Sequence, residues 1–140
     1  MSATLFTAVA RTTVPRTALR RFLALDAVVS TGNGLAYVAL SAPLGRLLGV
    51  GQGVLLGFGV FMLFYGAAVG LLASRPQPPV FPVRIVIEGN YAWAALSLVA
   101  LVLWFAPTTA GAVWIVAQAL VVASFALFQQ LALRADSGRQ

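Results

Sequence analysis

The side chains best able to do chemistry in the first apolar stretch form one line: Asp26, Ser30, Asn33 and Tyr37, at i, i+4, i+7 and i+11. At about 100° per residue these positions share one face of a helix. Around them lie Leu23-Ala24-Leu25, Ala27-Val28-Val29 and Leu35-Ala36, all apolar. A polar line on an otherwise oily helix has to face protein or water, because unsatisfied polar groups are costly in hydrocarbon. Further candidates follow at Glu88, Asn90 and Tyr91, and again at Gln118 and Gln129. The carboxylates of Asp26 and Glu88 have the chemistry for acid–base work. No His or Cys accompanies them, which removes the commonest zinc and haem ligands and the thiolate nucleophile. Ser-His-Asp, HExxH, Walker and Rossmann patterns are absent. The expectation is a non-enzymatic protein with no catalytic residue, no metal and no cofactor.

The elements that position these residues are read from composition. Of 140 residues, 61% are hydrophobic and 9% charged, too few charges to cover a soluble surface. All nine basic residues are Arg, and the Ala-, Gly- and Val-rich remainder suggests a GC-rich bacterial source. The net charge of +6 sits on arginines that flank apolar segments rather than on a basic face laced with aromatics. The partners implied are anionic lipid headgroups, not nucleic acid.

In chain order, residues 1–21 form a basic interfacial lead-in, with Pro15 suited to the start of a helix running from about Arg16. Apolar spans follow at about 22–40, 53–74, 83–105 and 112–133, and residues 135–140 read as a polar tail. The second span, at about 33 Å, is long enough to cross a bilayer. Ser41 is a possible N-cap and Pro43 the first residue of a short interfacial helix over 43–49. Gly59, Gly66 and Gly70 share a face of the second span and suit close helix packing, within the chain or in a homodimer. Arg75–Pro82 carries four prolines in eight residues and reads as a stiff turn. Asp26 and the run Thr31-Gly32-Asn33-Gly34 fit the apolar core of a signal peptide poorly, so the first span is expected to stay.

Eight arginines fall on one side of these spans and Arg46 alone on the other. This bias places both termini in the cytoplasm, in the inner (plasma) membrane. The fold class is thus all-α, an integral membrane four-helix bundle. Counting residues from the arginines puts Asp26, Glu88, Gln129 and Gln130 at similar depth, in a cluster that opens toward the cytoplasm and narrows into an apolar outer half. A buried charge there is expected either to pair or to be protonated. The bland reading pairs Asp26 with an interfacial arginine and Glu88 with Arg84 at i, i+4. The other makes the cluster a protonatable or ligand-binding vestibule. Arg84, Glu88 and Tyr91 share a face, with Asn90 pointing elsewhere. Asn33, deeper in the span, suits a hydrogen bond to a neighbouring helix or a substrate contact.

The runs Arg20-Arg21-Phe22-Leu23-Ala24-Leu25-Asp26 with Gly32-Asn33-Gly34, Glu88-Gly89-Asn90-Tyr91-Ala92-Trp93, and Thr109–Gln118 are similar to a group of small four-helix integral membrane proteins of unknown function from GC-rich bacteria. The resemblance covers most of residues 18–134. It implies the four-span topology and no catalytic residue. Function is expected in one of three classes. The first is a non-enzymatic polar seam that stabilises the bundle or docks a membrane partner. The second is a small transporter, channel or ligand-binding bundle. The third is a membrane enzyme, for which two carboxylates are present without a nucleophile or metal set.

Overall fold

The structure, a computed structural model, describes residues 15–138. Among the described residues it is all-helical: α1 (Pro15–Ala39), α2 (Ser41–Leu48), α3 (Gln52–Ser74), α4 (Val80–Leu103) and α5 (Thr109–Gly138). The four long helices are long and apolar enough to cross a membrane, and only a minority of each is buried inside the protein. Large apolar side chains such as Phe64, Leu71, Phe81 and Val102 point outward. An apolar surface so continuous is untenable in water and matches a lipid environment.

Helix boundaries follow local chemistry. Pro82, expected in the turn, lies in the first turn of α4, where backbone N–H groups have no intrahelical partner and proline's missing donor costs little. The short helix begins at Ser41 instead of Pro43, so Ser41 does not cap it, and its hydroxyl accepts a 3.4 Å bond from Gln52 Nε2. Gly49 ends α2 with φ 70°, a left-handed conformation suited to glycine, and a Cβ there would meet the Thr108 backbone. Residues 135–138, read as a tail, continue α5, since nothing in Arg134-Ala135-Asp136-Ser137 breaks a helix.

Packing is uneven around the four helices. The α1–α3 contact is the most extensive, followed by α4–α5 and then α1–α5, whereas α3 and α4 scarcely touch. Glycine sets the α1–α3 approach. A Cβ on Gly34 would lie 2.9 Å from the Gly59 carbonyl, one on Gly59 2.8 Å from Val38, and one on Gly66 against the Thr31 hydroxyl. Gly70 is looser, at ordinary contact distance from Ala27, and Gly53 and Gly57 face open space. Two groups of contacts fix the ends. Arg20 Nε donates to the Ala73 carbonyl at 3.0 Å, satisfying an orphan acceptor at the C-terminus of α3. Thr108 donates through its hydroxyl to Leu47 O (2.6 Å) and through its N–H to Leu48 O (3.1 Å), and that hydroxyl also accepts from the Gly111 N–H. One residue thereby closes the end of α2 and caps the start of α5.

These glycines make a direct prediction for stability. Gly59→Ala should lower the unfolding free energy in mild detergent by about 1–3 kcal/mol, the cost of overpacking a close contact. Gly57→Ala, facing open space, should be neutral or stabilising by up to about 1 kcal/mol. Denaturant titration of both variants checks the contrast.

Candidate functional site

Each long helix contributes one residue or more to a buried polar ring. On α1, Leu19, Leu23, Asp26, Ala27, Ser30, Gly34 and Tyr37 are buried, so the i, i+4 spacing that aligns Asp26 with Ser30 also turns both inward. On α4 the inward face is Val83, Val86, Ile87, Asn90 and Ala94. On α5 it includes Ala126, Gln129 and Leu133. Tyr65 reaches in from α3.

Asp26 is 2% exposed and Gln129 fully buried. Asp26 Oδ1 accepts from Ser30 Oγ at 3.2 Å. Oδ2 accepts from Asn90 Nδ2 at 2.8 Å, Gln129 Nε2 at 2.9 Å and the Tyr65 hydroxyl at 3.1 Å. Asn90 Nδ2 also donates to Gln129 Oε1 at 3.2 Å, and the Tyr65 hydroxyl to Asn90 Oδ1 at 2.7 Å. Among the described residues no buried side-chain N or O atom lacks a partner. Tyr65 has a single hydroxyl hydrogen and two acceptors within reach. One hydrogen cannot serve both at once, so the phenol oxygen sits where Asp26 Oδ2 and Asn90 Oδ1 compete for it.

The arginine partners expected from sequence are elsewhere. Among the described residues the ion pair within 4.0 Å is Arg16–Asp136, at 3.6 Å, joining the start of α1 to the end of α5. Arg21, Arg75, Arg84 and Arg134 are exposed, and Arg84 and Glu88 do not pair. An arginine reaching Asp26 would drag its charge out of water past Leu19 and Leu23, whereas neutral amides and hydroxyls incur a far smaller desolvation cost. The α4 face is likewise corrected: Asn90 is the inward residue, and Glu88 and Tyr91 lie on the exposed side. Tyr91 donates to Gln130 Oε1 at 3.1 Å on that surface.

The remaining candidates lie nearer the end opposite the termini. Tyr37 OH accepts from Trp114 Nε1 at 2.6 Å. Gln118 Oε1 accepts from Trp93 Nε1 at 2.9 Å, while Gln118 Nε2 donates to Ile115 O. Asn33 is half-buried and makes no hydrogen bond among the described residues, so it does not join helices as expected. It lines a cavity of about 440 Å³ with Asp26, Ser30, Tyr37 and Gln118. The half away from the termini thus holds a largely apolar-walled cavity where the sequence suggests a narrowing. At the terminus-bearing end Leu19, Leu23, Val83, Ile87 and Leu133 close over the ring. What does open there is an apolar-walled groove of about 640 Å³ between α3 and α4, reaching Tyr65 and Asn90 from Arg75 and Pro79. Trp93 separates groove from cavity, stacked on Phe61 (5.8 Å, 5°) and edge-on to Phe58 (5.3 Å).

The sequence places Tyr65 deeper along the axis of the cluster, and the structure brings it to Asp26 itself. Between Gln52 and Ser74 it is the lone side chain in α3 able to make a strong hydrogen bond. Within lipid such a group is driven to find a partner.

The chain matches no protein-family model, no curated protein and no solved structure.

The ring separates polar residues that hold the fold from those that do not. Tyr65→Phe should destabilise by about 1 kcal/mol, the loss of a hydrogen bond with Asn90 Oδ1 left unpaired. Asn33→Ala should fall within about 0.5 kcal/mol of the parent protein. Equilibrium unfolding in the same detergent measures both.

Proposed function

We propose that this chain is a four-span integral membrane protein of the inner (plasma) membrane, non-enzymatic, with both termini cytoplasmic. Its central element is a polar seam that holds the helix bundle together. The observation that carries this reading is the convergence of hydrogen-bond donors from α1, α3, α4 and α5 on the single carboxylate of Asp26. Orientation is supported by arginine placement: Arg16, Arg20, Arg21, Arg75, Arg84 and Arg134 are at the terminus-bearing ends of the long helices, and Arg46 alone among the described arginines is at the other. A second reading, a ligand-binding or transport bundle, is favoured by the cavity lined by Asp26 and by Asn33, whose amide makes no hydrogen bond among the described residues.

If the seam holds the bundle, the shape and acceptor capacity of residue 26 matter more than its charge. Asp26→Leu strands three donors from three other helices and should cost on the order of 2–3 kcal/mol. Asp26→Asn keeps an acceptor oxygen for them and turns its amide to the Ser30 hydroxyl, so its cost should stay within about 1 kcal/mol. Equal melting of the two variants in detergent overturns the seam. Orientation is checked separately, because the chain has no cysteine of its own. A cysteine replacing Arg46 should react with a membrane-impermeant maleimide in intact cells, and one replacing Ser74 should react only after lysis.

A further inference from the structure

The hydrogen bonds to Asp26 bring it four neutral donors and no positive charge. Among the described residues no basic group lies within 4.0 Å of it; of those nearest in sequence, Arg21 is exposed, Arg20 is committed to the Ala73 carbonyl and Arg16 to Asp136. Buried charges are ordinarily matched by a counter-charge or a proton. The cavity beside Asp26 is the open space in which a counter-charge could stand. Its walls hold all three tryptophans of the chain, Trp93, Trp104 and Trp114, together with Tyr37, Phe58 and Phe125.

We propose that this cavity is a binding site for an organic cation, an ammonium group on an apolar body, with Asp26 as its counter-charge and the aromatic rings as its walls. Aromatic faces attract cations most strongly where water is excluded, and the tryptophan face is the best of them. A metal ion fits poorly: hard cations require six or more oxygens, and no group of three acidic residues gathers among the described residues. An anion would meet the Asp26 carboxylate, and a neutral guest would leave that charge unmatched. The volume of about 440 Å³ lies within the range of small-molecule sites. Two polar groups remain available to a guest: the Asn33 amide, and the Tyr37 hydroxyl hydrogen, since that oxygen accepts from Trp114 and donates to no described residue. The lining reaches Tyr37, Val50, Trp104 and Trp114, toward the end where Arg46 is the one described arginine.

This inference rests on the ligand-binding reading of the cavity, and the test separates the two. Because every tryptophan lines the cavity, intrinsic fluorescence reports its occupancy. The full chain in nanodiscs is titrated with phenyltrimethylammonium and with tert-butylbenzene, its neutral carbon isostere. A saturable fluorescence change with the cation, at least tenfold weaker with the isostere, is the expected result. Asp26→Asn should weaken cation binding at least tenfold while its melting stays near that of the parent protein. Ala100→Phe, which fills the cavity, should abolish binding, and Ala68→Phe, which fills the α3–α4 groove, should leave it unchanged. Equal binding of cation and isostere, blocked by Ala100→Phe, overturns the assignment of charge but keeps the cavity as a ligand site. No saturable response to either probe overturns both.

Discussion

A carboxylate removed from water has to be given hydrogen-bond donors, and here the donors come from four different helices. That requirement fixes how the long helices are set against one another. Rotating α4 by one residue would take Asn90 out of reach and bring Gly89 or Tyr91 toward the centre, and sliding α5 by one turn would remove Gln129. The α1–α3 glycine contacts bring two backbones close enough for Tyr65 to reach Asp26. Arg20 on the Ala73 carbonyl and Thr108 on the end of α2 then fix the two ends of the structure. In a lipid setting apolar side chains discriminate weakly between one register and another, because lipid tails are as apolar as leucine. Directional bonds to one buried acceptor therefore specify the arrangement more sharply than the aliphatic core does.

The unevenness of the packing follows from the same sequence. The turn between α3 and α4 is short and proline-rich, yet these consecutive helices diverge along their length. Neither presents the other with the small residues that α1 presents to α3: Gly89 has nothing within 4 Å of where its Cβ would be. Trp93 fills part of the resulting gap, touching Phe58 and Phe61 on α3 and bonding Gln118 on α5. One side chain thus joins three helices and divides the lateral groove from the cavity behind Asp26.

Much of this was legible in the sequence. The stripe of Asp26, Ser30 and Tyr37 is inward because its spacing matches the helical repeat and everything around it is apolar. Gly59 and Gly66 pack on α1 because a run of small residues on one face admits a neighbouring backbone. On α4 the spacing of Arg84 and Glu88 suggests one face, but the buried one is the apolar repeat of Val83, Val86, Ile87 and Ala94, to which Asn90 belongs. Charge spacing reports which residues can pair on a surface, while apolar spacing reports which face is buried, and the second decided the rotation of α4. Asn33 misled in the opposite sense. An amide in mid-span is expected to bond across helices, but this one borders a hollow, and hollows between helices leave no mark in a single sequence. The choice of amides over arginine as partners of Asp26 was equally hidden, since it depends on how far each guanidinium lies from the ring.

The identity of residue 26 also links the seam to the cavity. Ser30, Tyr65, Asn90 and Gln129 all turn donors toward it, so the position calls for an acceptor. An asparagine would serve most of that need without a charge, because its oxygen can face the three interhelical donors and a serine hydroxyl can accept from its amide. The negative charge is therefore more than the hydrogen-bond pattern requires, and burial makes it expensive to carry. The proposed organic cation would supply the counter-charge that the ring lacks, whereas an asparagine would hold the helices together without needing one. The seam thus asks position 26 for an acceptor, and the proposed guest asks it for a charge.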